Sequence, residues 1–428
     1  LNHDQQRAGM SDDQRPTALR WYQTVTREQW KVLLAAELGW MLDAMDFVLY
    51  LTALTTLQQE FGYGPQTAGW LATMALLASA VGGLVFGVVA DRVGRTRALS
   101  ATIVIFSLGS LGTATAQSVA QLIAWRTLAG LGLGGEWASG AVLVSETWPP
   151  AHRDKAISIM QSGWALGYLL AALLTAAVLP VLGWRWLFAI GALPALFVFW
   201  VRREVPEPEV WLARRQSAVP AENRLRALFG RALWSRTLLA TLLTGTVMFG
   251  YWGLFSWLPG FLASSAESGG AGMSIQKSMA WIVPLQIGAF FGYLSFGFLA
   301  DAVGRRRTFI FFLLTAAALV PLYGHMAHRH AMLLALGPLL GFFGHGYFSL
   351  FGATLAELYP TALRATGQGF TYGAGRGLSA LAPYTIGTLA QRHGIGPALA
   401  LTSAFFVAGA GLILLLPQTP RRLDNDVS

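Results

Sequence analysis

The chain has 428 residues, 54% of them hydrophobic and only 12% charged, with a net charge of +9 and no cysteine. A soluble domain carries roughly 25% charged residues, so an ordinary soluble enzyme is excluded. The lack of cysteine rules out a disulfide framework and a thiolate metal site.

Ionisable residues fall in short clusters, and the long apolar intervals between them read as bilayer spans. The first 30 residues are polar and the first apolar run is long enough to span, so no cleavable signal peptide is expected. The pattern predicts twelve spans, at about 32–57, 68–90, 98–116, 120–146, 156–180, 185–201, 236–262, 278–300, 308–324, 331–356, 366–390 and 397–416. Residues 1–31 and 417–428 are tails, 32–201 and 236–416 are two six-helix domains, and 202–235 is a linker. The linker is Arg-rich with scattered Trp, Leu and Phe, as an interfacial amphipathic segment would be; a regulatory segment is the competing reading. Glycine-rich ridges such as Gly130, Gly132, Gly134 and Gly135 in span 4 suit close helix packing.

Lys and Arg are distributed asymmetrically about these spans. The face holding both termini carries 24, as 5 in the N-terminal tail, 3, 2, 8, 3 and 1 in successive loops, and 2 in the C-terminal tail. The opposite face holds four, Arg185, Lys277, Arg329 and Arg392, while Arg126 and Arg376 lie inside spans. The excess of positive charge marks the cytoplasmic side, so both termini are expected there and the basic balance is topology, not a nucleic-acid footprint.

Two stretches recur about 210 residues apart. Gly87-Val-Val-Ala-Asp91-Arg92-Val-Gly94-Arg95 returns as Gly297-Phe-Leu-Ala-Asp301-Ala302-Val-Gly304-Arg305, and Glu146-Thr-Trp-Pro149-Pro-Ala-His-Arg153 returns as Glu357-Leu-Tyr-Pro360-Thr-Ala-Leu-Arg364. A duplicated half, with charged punctuation between apolar segments, is how a two-domain membrane transporter is built.

The two halves differ in their buried charge. Spans of the first hold Glu37, Asp43, Asp46, Arg126 and Glu136; those of the second hold Arg376 and His345, before Glu357 at the cytoplasmic end. Charges in hydrocarbon cost at least a few kcal/mol each, so each needs a partner or a task. Asp43 and Asp46 are three apart and share a helix face. Two close carboxylates in low dielectric do not both ionise easily, so one is expected to hold a proton. Arg126 lies at a depth similar to Asp46, and Glu136 lies roughly 15 Å further along span 4. Asp43, Asp46, Arg126 and Glu136 therefore form a candidate proton path, and a static ion-pair network is the alternative. Glu37, near the cytoplasmic end, fits either a structural or a coupling role.

Arg376 has no acidic residue in the spans of its own half, so a substrate carboxylate would satisfy it; pairing with Asp43 or Asp46 is the alternative. Gln161, Trp164 and Tyr168, Tyr251 and Trp252, Gln286, His345 and Tyr347, and Tyr372 lie at similar depth. Aromatic walls with a few polar groups suit a small amphipathic acid. The expected substrate set is Arg376, Gln161, Tyr168, Tyr251, Trp252, Gln286, His345 and Tyr372.

The Gly-x-x-x-Asp-x-x-Gly-Arg loop after span 2, echoed after span 8, resembles the signature of the major facilitator superfamily. Trp40-Met-Leu-Asp43-Ala-Met-Asp46-Phe, Arg126 through Trp137, and Gly375-Arg376 through Pro383 are similar to the sialate:proton symporter group. That resemblance implies an all-α membrane protein of the major facilitator fold, twelve transmembrane helices forming two pseudo-symmetric six-helix domains that rock about a central site. It also implies a working monomer. Asp91, Arg95 and Glu146 would make contacts between the domains that break on inward opening, with anchoring alone as the alternative. Gly87, Gly94, Arg153, Asp301, Gly304, Arg305, Glu357 and Arg364 complete the expected gating set, although Ala302 replaces Arg92 in the second copy.

The leading expectation is proton-coupled symport of a small organic anion, a monocarboxylate such as lactate or pyruvate, or sialic acid. The protein would sit in a bacterial inner (plasma) membrane and use protons as its coupling ion, with no cofactor, metal or nucleic acid. The rivals are a sugar facilitator, opposed by the absence of asparagine from the spans, a drug:proton antiporter, opposed by the absence of a Gly-Pro motif in span 5, and a non-transporting sensor.

Overall fold

The computed structural model describes residues 23–149, 152–209, 212, 222–360 and 363–417. The side chain of Asp91, most of the two expected tails and the middle of the expected linker lie outside the described residues. The described chain is helical throughout, with no strand. The helices of the first half are α1 (Arg27–Thr52), α2 (Leu54–Phe61), α3 (Pro65–Val93), α4 (Arg95–Ala114), α5 (Val119–Thr147), α6 (Arg153–Gly191) and α7 (Phe197–Glu204). After the short α8 (Glu222–Leu228) come α9 (Trp234–Phe255), α10 (Leu258–Ala263), α11 (Ile275–Val303), α12 (Arg305–His325), α13 (His330–His345), α14 (Phe348–Ala356), α15 (Arg364–Ser379), α16 (Ala382–His393) and α17 (Ile395–Leu415).

Local chemistry sets the ends of these helices. Thr26 caps α1 through a reciprocal box with Gln29, satisfying two otherwise unpaired N–H groups. Gly94 and Gly304 close α3 and α11 with φ of 126° and 99°, a region that side-chain-bearing residues avoid, so the repeated loop turns the same way twice. The backbone N–H groups of Arg95 and Thr96, at the start of α4, donate to Glu207 Oε2 at 2.6 and 3.2 Å, and that of Arg97 donates to Oε1 at 3.3 Å. A linker carboxylate thus caps a helix start, where unpaired donors and the helix dipole favour negative charge. Predicted spans 5 and 6 both fall within α6, whose backbone leaves helical geometry at Gly183 (φ 80°, ψ 175°), so they are two helices meeting there, the second followed by α7.

Eight helical stretches among the described residues are long and apolar enough to cross a bilayer, the α6–α7 run counting as one. The remaining predicted spans are α1, α5 and the α15–α16 pair, which hold Asp43, Asp46, Arg126, Glu136 and Arg376. Outward-facing side chains such as Val81, Leu84, Val88, Phe291, Phe298, Phe311 and Leu415 are exposed and apolar, a surface suited to lipid.

Packing repeats between the halves: α3 lies on α5 as α11 lies on α13, and α1 lies on α6 as α9 lies on α15. Gly130 and Gly134 press against the α3 backbone at Ala75 and Ser79, while Gly288 and Gly292 meet Pro338 and Phe342 in the same way. Across the seam, α6 packs on α11 and α16 packs on α3.

Candidate functional site

A central cavity lies on this seam, lined by Trp40, Gln161 and Trp164 from the first half and by Met248, Tyr251, Trp252, Tyr293, Phe348, Tyr372 and Arg376 from the second. It holds about 340 Å³ of space not filled by atoms, mouth included. Arg376 is 4% exposed and has no ion pair; its Nε and Nη2 have no hydrogen-bond partner among the described residues. Its guanidinium carbon lies 5.9 Å from the Trp252 ring centroid.

Contacts between the halves bracket the cavity above and below. On the outer side, the Tyr168 hydroxyl donates to Phe255 O at 3.0 Å, Gln66 Nε2 donates to the Tyr384 hydroxyl at 2.9 Å, and Tyr384 N donates to Thr73 Oγ1 at 3.2 Å. On the inner side, Ser158 and Ser349 share a 2.8 Å hydroxyl bond, and Trp137 stacks on Tyr372 at 3.8 Å with 7° between the rings. Gln161 Oε1 accepts from Trp137 Nε1 at 3.3 Å, which ties the stack to the cavity wall.

The buried charges of the first half divide into a matched pair and an unmatched one. Arg126 Nη1 meets Asp46 Oδ2 at 3.2 Å, Nη2 reaches the Asp46 carbonyl at 3.4 Å, and the cation lies 5.7 Å from the Phe188 ring. Asp43 Oδ2 and both Glu136 oxygens have no hydrogen-bond partner among the described residues. A Cβ at Gly39 would fall on Glu136 Oε1, so the Glu136 carboxyl rests against α1 one turn before Asp43. Asp43 lies in the fields of both Glu136 and Asp46, and of Arg376 and Arg126. Sequence spacing named Asp46 as its carboxylate neighbour; the structure adds Glu136 as a second, while Arg126 engages Asp46. Glu37 is half-buried.

Of the expected substrate residues, Gln161, Tyr251, Trp252, Tyr372 and Arg376 line the cavity, whereas Tyr168, Gln286 and His345 do not. Tyr168 is a bridge between the halves, Gln286 is buried outside the lining, and His345 packs among Tyr251, Phe255 and Tyr293 with Nδ1 donating to Gly341 O at 3.1 Å. Sequence reasoning left out Trp40, Met248, Tyr293 and Phe348. Trp40 could have been found, since it sits one turn before Asp43 on the same face.

At one end of the bundle the repeated loops form equivalent ion pairs inside each half. Arg95 holds Glu146 through two 3.1 Å bonds, and Arg305 Nη1 meets Glu357 at 2.7 Å. The Arg95–Glu146 pair thus lies within the first half rather than between halves. Asp154 of α6 lies in the fields of Arg305, Glu357 and Asp301 across the seam, and of Arg153 beside it. Arg364 Nε donates to Tyr359 O at 3.3 Å, while Gly87 and Gly304 have open space where a side chain would stand.

Comparison with known proteins places this architecture. The family model described as Major Facilitator Superfamily matches residues 38–295 and 276–428. A protein of Cupriavidus pinatubonensis named "Probable 4-methylmuconolactone transporter" is 35% identical, over 93% of this chain and 93% of its own. The sialic acid transporter NanX of Escherichia coli is 28% identical, over 93% of this chain and 96% of its own. Among solved structures, a D-xylose-proton symporter superposes with a TM-score of 0.73 at 18% identity, covering 91% of this chain and 98% of the other, a likeness of fold. The chain is a multi-pass integral membrane protein and a secondary transporter of small organic metabolites, not an enzyme, and it belongs to the Major Facilitator Superfamily.

Proposed function

We propose that the protein is a proton-coupled symporter of small organic acids, with Arg376 taking the substrate carboxylate and the Asp43–Glu136 pair taking the proton. The observation that carries this reading is Arg376: a guanidinium in the cavity wall, 4% exposed, with two nitrogens unpartnered. A carboxylate is the complement that planar donor set fits best.

Charge balance supplies the coupling. In this reading Arg376 is the nearby cation that helps Asp43 ionise, since Asp43 lies in its field without touching it. An incoming acid takes over Arg376, so Asp43 loses its counter-charge and a proton replaces it. Binding of anion and proton favour each other by the same free energy, as linkage requires. The halves, 32–201 and 236–416, then close and reopen around a neutralised cavity, and the pairs Arg95–Glu146 and Arg305–Glu357 brace the inner ends as they move. Tyr168, Gln286 and His345 serve as packing and seam groups in this scheme, and the chain works as a monomer in a bacterial plasma membrane with both termini cytoplasmic.

The relatives named for 4-methylmuconolactone and sialic acid support an acid larger than lactate or pyruvate. So does a wall containing three indoles, which offers wide flat faces. A sugar facilitator is less well supported, because Gln161 is the one side-chain amide in the lining and it is already engaged by Trp137 and by Phe348 O.

Uptake into proteoliposomes tests the proposal, using labelled benzoate, nicotinate, muconate, sialic acid, lactate and glucose with and without an inward proton gradient. Gradient-driven accumulation of at least one acid is expected, abolished by Arg376→Ala. Asp43→Asn should end accumulation and leave exchange of the acid across the membrane intact. Glucose flux indifferent to the gradient, with no acid transported, overturns the reading.

A further inference from the structure

Donors and acceptors are unevenly divided in the cavity wall. Trp40 and Trp252 are 5% and 6% exposed, both line the cavity, and neither indole N–H has a hydrogen-bond partner among the described residues. Trp164 stands between them, its ring centroid 4.8 Å from that of Trp40 and 5.6 Å from that of Trp252. Its N–H lies near the Tyr251 hydroxyl without closing a good hydrogen bond, so it is the least available of the three.

An indole nitrogen and a guanidinium can only donate. Among the described residues, no carboxylate lines the cavity to oppose them. The one amide oxygen, Gln161 Oε1, already accepts from Trp137 Nε1 at 3.3 Å. Only the hydroxyls of Tyr251, Tyr293 and Tyr372 and the weakly accepting sulfur of Met248 remain. A buried donor left unmet weakens binding, whereas one met by the ligand strengthens it. The wall therefore calls for a ligand richer in acceptors than a single carboxylate.

We propose that Trp40 and Trp252 form a second subsite that selects acids bearing a hydrogen-bond acceptor remote from the carboxylate: a ring nitrogen, a keto or lactone oxygen, or a second carboxylate. Acids carrying an amino group there are disfavoured, since the wall offers no carboxylate to receive it. This subsite rests on Arg376 holding the first carboxylate.

Benzoate, nicotinate and 3-aminobenzoate share a ring and a carboxylate and differ at one position, where they offer nothing, an acceptor and a donor. Their affinities for the full chain in lipid nanodiscs, read by calorimetric titration, test the subsite. Nicotinate should bind about three- to tenfold more tightly than benzoate, the margin one satisfied donor provides, and 3-aminobenzoate no more tightly than benzoate. Trp40→Phe and Trp252→Phe keep the ring and remove the N–H. One or both should bring the nicotinate-to-benzoate affinity ratio close to one, whatever affinity the smaller ring itself costs both acids, and measurable benzoate binding shows that the variant is folded.

Equal binding of nicotinate and benzoate, a preference for 3-aminobenzoate, or a phenylalanine variant that weakens all three acids alike would overturn the subsite. If a variant fails to fold, the ranking of the three acids on the unaltered protein decides. Binding of all three that survives Arg376→Ala unchanged would instead bring down the anion site on which the subsite rests.

Discussion

The two halves of this protein share a frame and differ in what they bury. Each has the glycine turn with positive φ, at Gly94 and Gly304, and each pairs the arginine after it with a glutamate at the end of a later helix. Inside the bundle the likeness stops. Among the described residues, the first half matches Arg126 with Asp46 and leaves Asp43 and Glu136 without an ion pair, and the second buries Arg376 without one. Duplication repeated the scaffold, and the chemistry departs from the repeat where the cavity is.

The contrast between the two buried arginines is the sharpest place to break this comparison. Arg126→Ala strands Asp46 without its partner and should cost about 3–5 kcal/mol, read as a large fall in thermal stability of the purified protein. Combining Asp46→Asn with Arg126→Gln should recover much of that loss, because no lone charge remains. Arg376→Ala should do the opposite: stability little changed, because no ion pair is broken and Asp43, which feels its field, can take up a proton instead, and acid affinity lowered by about 1.5–3 kcal/mol or more, the worth of charge-assisted bonds. A large destabilisation by Arg376→Ala would show that the cation is part of the frame after all.

Smaller effects sharpen the picture. Trp137→Ala loses the ring stacked on Tyr372 and should weaken the inner seam by about 0.5–1.5 kcal/mol beyond its area, seen as faster exchange of a cysteine-directed label placed at the inner end of the cavity. Lys31→Ala breaks a 2.6 Å pair with Glu204, but both side chains are well exposed. The change in thermal stability should be too small to resolve, since solvent screens an exposed pair.

Much of the fold was legible because lipid makes most spans apolar along their length, and because most of the charge sits in loops. The same uniformity hid the site. Depth alone picked out Gln286 and His345, which do not line the cavity. Tyr293, two turns from Gln286 along the same face of α11, does, so the cavity lies nearer the repeated loop than depth in the sequence suggested. Arg376 was legible as an intramembrane cation with no acidic partner in its own half. The approach of Glu136 to α1 beside Asp43 was not, since it depends on how α1 crosses α5, and spacing within one helix could name only Asp46. The breaks at Ala53 and between α13 and α14 also left little trace, because their residues are as apolar as their neighbours.

The face-to-face rings of Trp137 and Tyr372 belong to opposite halves, so they cannot remain parallel once the halves swing apart. One follows Glu136 directly and the other stands a single helical turn from Arg376. Any inward swing must peel indole from phenol, changing the surroundings of one tryptophan at that instant. In a variant whose other tryptophans are replaced, its fluorescence would time the opening stroke turnover by turnover.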